Sequence, residues 1–213
     1  MNMMRFTTMK TKLRKYPSIF LILLLAISSC FLTGCVNQHP KDSKKSSQGE
    51  SVETMLEITD PKEKQAVLNA KAKVKALSGN PRIVATSPAV ADICDKLDLD
   101  LVGVPKSSVS KIPSRYKKVK KVGLAMSPDM EIVSSLNPDW ILAPSSLETD
   151  LKPKFEELKN TEYAFLNLRS VQGMYRSVQE LGEIFGKQQE AEKMTKEFTT
   201  FYKSYTKRNK NKK

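Results

Sequence analysis

From Arg82 to Phe185, short apolar runs alternate with amphipathic stretches, and that alternation restricts the fold more than any other feature. Ile83-Val84-Ala85-Thr86, Leu101-Val102-Gly103-Val104, Trp140-Ile141-Leu142-Ala143 and Tyr163-Ala164-Phe165-Leu166 read as short buried strands, with Val119 to Leu124 a weaker one. Between them, Val90, Ile93, Cys94 and Leu97 recur at i, i+3, i+4 and i+7, the spacing of one helix face. Ser127-Pro128-Asp129 reads as a helix start before Met130, Val133 and Leu136. Leu147 to Leu158 reads as a further helix, and Val171, Met174, Tyr175, Val178, Leu181 and Phe185 mark another face. The prediction is an α/β fold: a parallel sheet flanked by helices on both faces. A long helix over 187–208, carrying Ala191, Met194, Phe198, Phe201, Tyr202 and Tyr205, should end it.

The segments before the alternation read differently. Arg5, Lys10, Lys12, Arg14 and Lys15 precede an apolar run from Ile19 to Leu32, and Leu32-Thr33-Gly34-Cys35 closes it. The run is about 14 residues, short of the roughly 20 that span a bilayer. Basic, apolar, small residues, then cysteine is the order of a bacterial lipoprotein signal. Residues 1–34 are therefore expected to be a signal peptide, with Cys35 carrying lipid (palmitate) and the protein anchored on the extracytoplasmic face of the cell membrane. Residues 35–60 read as a flexible tether, too polar from Asn37 to Ser51 to bury a core. Asp60-Pro61-Lys62-Glu63 is a capped helix start, and an extra helix is expected over 61–79, ended by Gly79-Asn80-Pro81. Residues 80–186 form the lobe and 209–213 a basic tail.

The formal charge of +13 does not predict a nucleic-acid partner. Five of those charges lie in the signal segment and six in Lys203, Lys207, Arg208, Lys210, Lys212 and Lys213, which leaves +2 for everything between. The body reads as near neutral, with no basic face expected. Cys94 is the one cysteine of the body and falls on a helix face, where a small buried role suits it.

In sheets of this kind, ligands bind beyond the carboxyl ends of the strands. The loops there are Thr86-Ser87-Pro88-Ala89, Pro105-Lys106-Ser107-Ser108, Leu124-Ala125-Met126-Ser127 and Pro144-Ser145-Ser146: small, polar and with one methionine. The chain lacks a glycine-rich dinucleotide fingerprint, a P-loop and a nucleophile elbow. Its only histidine, His39, lies in the tether. A catalytic triad or a protein-only zinc site has no support, so a binding protein is expected and an enzyme is not.

Several blocks carry a closer likeness. Arg82–Ser87, Asp95–Leu99, Pro113–Val119, Gly123-Leu124-Ala125-Met126-Ser127-Pro128-Asp129-Met130-Glu131 and Leu136-Asn137-Pro138-Asp139 resemble the heme-binding lipoproteins of iron-regulated surface determinant systems. These belong to the helical-backbone (class III) substrate-binding proteins of ABC importers for siderophores, cobalamin and heme. The likeness covers roughly 82–208. The block at 136–142 is shared across the broad group, and the block around Met126 points to heme. The resemblance implies one Rossmann-like lobe, heme as the transported ligand, and a permease and an ATPase as partners. It implies Met126 as an axial ligand of heme iron, a soft neutral thioether suited to that metal. Thr86, Ser87, Ala89 and Val90 fall where backbone donors and a helix start would meet a heme propionate. Lys106, beside Ser107, would add charge, although an exposed surface lysine is the plain reading of the same residue.

Family members continue into a second lobe bearing a histidine that grips the iron from the other side. This sequence ends at Lys213, so one lobe is expected, truncated before the second, with a separately encoded second lobe as a candidate partner. Three readings follow: a one-lobe heme receptor, a siderophore or cobalamin receptor using the same rim, or a membrane-anchored adaptor or remnant that binds nothing small.

Overall fold

The computed structural model describes residues 5–6 and 56–209. The chain divides into two units, Met1–Met9 with Glu50–Lys213, and Lys10–Gly49. The second unit lies outside the described residues, as do Cys35, His39 and most of the expected signal and tether. Among the described residues, no helix is long and apolar enough to cross a membrane.

The elements are β1 (Arg5–Phe6), α1 (Pro61–Lys75), β2 (Ile83–Ala85), α2 (Pro88–Lys96), β3 (Leu101–Val104), β4 (Lys120–Lys121), β5 (Gly123–Leu124) and β6 (Ser127–Pro128). They continue with α3 (Met130–Ser135), β7 (Trp140–Pro144), α4 (Glu148–Glu156), β8 (Glu162–Leu166), α5 (Val171–Phe185) and α6 (Gln188–Asn209). The main sheet runs β1-β8-β7-β2-β3-β4. Strands β8, β7, β2, β3 and β4 are parallel, and β1 pairs antiparallel with β8. Fold class and layering are those expected, with a parallel sheet flanked by helices and a long helix at the end.

Both faces of the strands are buried because side chains alternate across the sheet. Ala85, Leu142, Ala164 and Leu166 join Val90, Cys94, Val178 and Leu181 in one apolar layer, under α2 and α5. Val84, Ile141, Phe165 and Tyr163 join Val133, Leu151 and Phe155 in the other, under α3 and α4. Caps define the helix starts. The side chains of Asp60, Ser87, Asp129 and Ser170 each accept from a first-turn amide of the helix that follows. Cys94 is fully buried, and burial pushes its thiol up to about 12. The thiol is expected to resist a disulfide-exchange reagent in the native protein and to react within seconds in denaturant; fast native labelling would contradict that placement.

Helix α1 is docked on α5 through charged groups. Arg176 Nη2 lies 3.1 Å from Glu63 Oε2, and Glu63, Arg176 and the neighbouring Glu180 are all buried. Lys71 pairs with Glu183 at 2.7 Å, and Lys73 pairs with Glu162 at the start of β8. Leu56 is buried and Ile58 packs on the core, so ordered packing begins upstream of residue 60. Helix α6 meets α5 at Gly182, where an added Cβ would lie 2.6 Å from Ala191 Cβ. Tyr175 stacks on Phe198 at 4.4 Å, and further along α6 Phe201 and Tyr205 are exposed.

Local features differ from the expectation: the helix expected over 61–79 ends at Lys75, and Leu56 and Ile58 of the expected tether pack on the lobe. The weak strand over 119–124 is two pieces, β4 on the sheet edge and β5 folding back on β6. Ser127-Pro128, expected at a helix entrance, forms β6; the helix begins at Met130, with Asp129 as its cap. Strand β1 falls within the expected signal segment.

Candidate functional site

The strand order reverses between β2 and β7: the chain runs β2 to β3 to β4 on one side, then β7 to β8 on the other. The crevice of such a sheet opens at that reversal, beyond the carboxyl ends. Ala85 is level with Leu142 there, so the Thr86–Ala89 and Pro144–Ser146 loops flank the crevice.

Thr86 faces inward. It is fully buried, and its amide and its hydroxyl both donate to Leu142 O, at 3.0 and 3.3 Å. Ser87 caps α2: its Oγ accepts from the Val90 amide at 3.3 Å. Val90 is buried in the core, so its amide is engaged and its side chain is turned away. Pro88 has no N–H, which leaves the amide of exposed Ala89 as the first-turn donor without a partner among the described residues. Ser145 Oγ is buried without a hydrogen-bond partner among the described residues, a polar group at the crevice that the sequence placed only in a rim loop.

Met126 sits at the tip of a hairpin. Gly123 pairs with Pro128 and Leu124 with Ser127, leaving Ala125-Met126 as a two-residue turn. Gly123 has φ +94°, and an added Cβ would lie 2.9 Å from Asp129 N, so glycine is required there. The Asp129 amide donates to Val122 O at 2.8 Å, closing the hairpin against the start of α3. Met126 is 73% exposed and Leu124 59%. The Lys106 amide donates to Gly123 O at 2.7 Å, joining the loop after β3 to the base of the hairpin. The Lys106 side chain is exposed, and Ser107 Oγ accepts from the Ser110 amide at 3.0 Å.

The structure thus brings Met126 and Lys106 onto adjoining loops, and the start of α2 follows β2, the neighbour of β3. Thr86 and Val90 lie beneath this rim. Among the described residues, no cluster of His, Cys, Asp and Glu is placed to hold a metal ion. A groove of about 450 Å³ lies elsewhere, along α5 and α6, lined by Gln179, Glu192, Thr195, Lys196, Thr199 and neighbours.

The fold is that of one lobe of a parallel α/β sheet, and residues 83–213 place the chain in the periplasmic binding protein family. The chain is similar to the high-affinity heme uptake system protein IsdE of Staphylococcus aureus (strain Newman), 36% identical over 117 residues, 55% of this chain and 39% of that protein. The crystal structure of S. aureus IsdE complexed with heme superposes with a TM-score of 0.59, 31% identity, and coverage of 62% of this chain and 51% of that one. An ABC transporter substrate-binding protein from Listeria monocytogenes EGD-e gives a TM-score of 0.60 and 41% identity over 63% of this chain and 52% of that one. The siderophore binding protein BauB, bound to acinetobactin and ferric iron, shares the fold at 24% identity and a TM-score of 0.54, over 63% of this chain and 50% of that one. The chain spans about two fifths of the length of the curated relatives it matches.

Proposed function

We propose that the chain is a heme-binding lobe of an ABC-importer substrate-binding protein, anchored by lipid at Cys35 and delivering its ligand to a permease driven by an ATPase. The observation that carries this reading is Met126, an exposed thioether held at the tip of a braced hairpin on the ligand side of the sheet. Soft thioethers suit heme iron, and hard ferric siderophores carry their own oxygen ligands and need none from the protein. Met126 would sit on iron, and the Ala89 amide at the start of α2 and the Lys106 ammonium would face the propionates. Binding and release are the whole mechanism; no bond of the ligand is broken. The similarity to a heme uptake protein supports the same ligand, and the siderophore reading is carried by fold alone.

Titration of the full chain with heme is expected to give a saturable Soret shift. Met126→Ala is expected to weaken it at least about tenfold, since even changes outside the direct ligands of a metal reach that scale. Equal binding by wild type and variant would remove Met126 from the site. Saturable quenching by a ferric siderophore with no heme response would move the assignment to the siderophore reading.

A further inference from the structure

The near-neutral total of the body conceals a local block of one sign. Residues 105–122 contain Lys106, Lys111, Arg115, Lys117, Lys118, Lys120 and Lys121 and no acidic residue. Arg115 is engaged: its guanidinium lies 2.8 Å from both Asp98 and Asp100. The six lysines are exposed, and none forms an ion pair among the described residues. They run along one margin of the lobe. Lys106 and Lys111 lie in the loop after β3, Lys117 and Lys118 lead into β4, and Lys120 and Lys121 are β4, the outermost strand.

Lysines on an outer strand block edge-to-edge pairing, which accounts for Lys120 and Lys121. It does not account for the four in the flanking segments. Nor does it account for Val109, 94% exposed between Lys106 and Lys111. An apolar side chain at a loop tip, flanked by long basic side chains, matches the layering of a bilayer interface, with acyl chains below and phosphates above. Nucleic acid is a poorer match. Its single-stranded form is held by exposed aromatic faces and by arginine, and here Tyr116 is buried and Arg115 is occupied.

We propose that this lysine margin docks on an anionic phospholipid bilayer, with Val109 entering the interface and Lys111, Lys117, Lys118, Lys120 and Lys121, which the rim does not use, facing headgroup phosphates. The contact orients the lobe on the membrane and is independent of the ligand that the rim holds. Attraction near an anionic surface is worth about fivefold in affinity per lysine and falls off within a Debye length.

The test is co-sedimentation of the full chain with phosphatidylcholine vesicles, with and without phosphatidylglycerol, at low and physiological salt. The N-terminal segment is common to every variant and cancels in the comparison. Joint replacement Lys117→Gln, Lys118→Gln, Lys120→Gln and Lys121→Gln is expected to lower the preference for anionic vesicles at least about tenfold. A control with the same loss of charge elsewhere, Lys152→Gln, Lys154→Gln, Lys159→Gln and Lys193→Gln, is expected to retain it. Val109→Ser is expected to weaken binding at both salt concentrations. No change in the first variant, equal loss in both quadruple variants, or tighter binding to duplex DNA than to anionic vesicles at matched salt would overturn the proposal. Far-UV circular dichroism matching wild type confirms that each variant is folded.

Discussion

Arg176→Met is expected to destabilise the folded chain by about 3–5 kcal/mol, the scale of leaving a buried charge without its partner. Arg176 and Glu63 are both buried, and their 3.1 Å pair is the inner contact between α5 and α1. Removing the guanidinium leaves the Glu63 carboxylate in an apolar layer beside Glu180. Helix α1 should detach first, so hydrogen exchange over 61–75 should rise more than exchange in β2 or β7. The double variant Glu63→Leu with Arg176→Met removes both charges and should recover most of the loss, because a buried pair exchanged for apolar residues is often neutral. A double variant as unstable as the single one would mean that the pair does not hold the helix.

The same cluster sets a pH dependence. Burial first, and then the Glu63 carboxylate beside it, push the Glu180 carboxyl up to about 9. The folded state therefore holds a proton that the unfolded state releases near 4.5. The contribution is fully present below about pH 4.5 and is lost as pH rises towards 9. Glu180→Gln imitates the protonated form, so the variant should gain on wild type between pH 5 and pH 9 in urea denaturation. A constant difference across that range would contradict the assignment.

Phe155→Ala is expected to cost a similar 3–5 kcal/mol, by a different route. Phe155 is fully buried on α4, stacked on Phe165 at 5.8 Å and 15°, with the Tyr163 ring also 5.8 Å away. These three rings fill the layer between α4 and the β8 side of the sheet, and alanine would leave a cavity there. Phe155→Leu keeps most of the volume and should cost no more than about 1.5 kcal/mol. Urea midpoints with an unchanged slope would report the difference as stability alone.

The fold was legible where apolar runs met caps. Ile83, Leu101, Trp140 and Tyr163 each open a run that only a doubly covered strand can bury, and Asp60-Pro61 and Ser87-Pro88 announce helices by chemistry local to the turn. The hairpin bearing Met126 was not legible. Its strands are two residues each, too short for alternation to show, and the conformation rests on one glycine at φ +94°. The candidate site was legible in position only. Met126 and Lys106 were placed on the rim by position, but the inward turn of Thr86 depends on Leu142 O, 56 residues away. Glu63, Arg176 and Glu180 look in sequence like an ordinary solvated helix surface, because nothing local says that two such surfaces face each other. The lysine margin was hidden by summing charge over the whole body.

The central pair of strands has a consequence for the order in which the chain acquires structure. Strand β2 lies between β3 and β7, and the Arg82 amide is held by the Asp139 carboxylate across 57 residues. Nothing in the first half of the lobe can complete its layer until the segment at 140–144 arrives. Closing so long a loop before any reward is slow relative to helix formation. Helix α2 can therefore form before its layer closes, and β2 is expected to lock in place only once β7 pairs beside it.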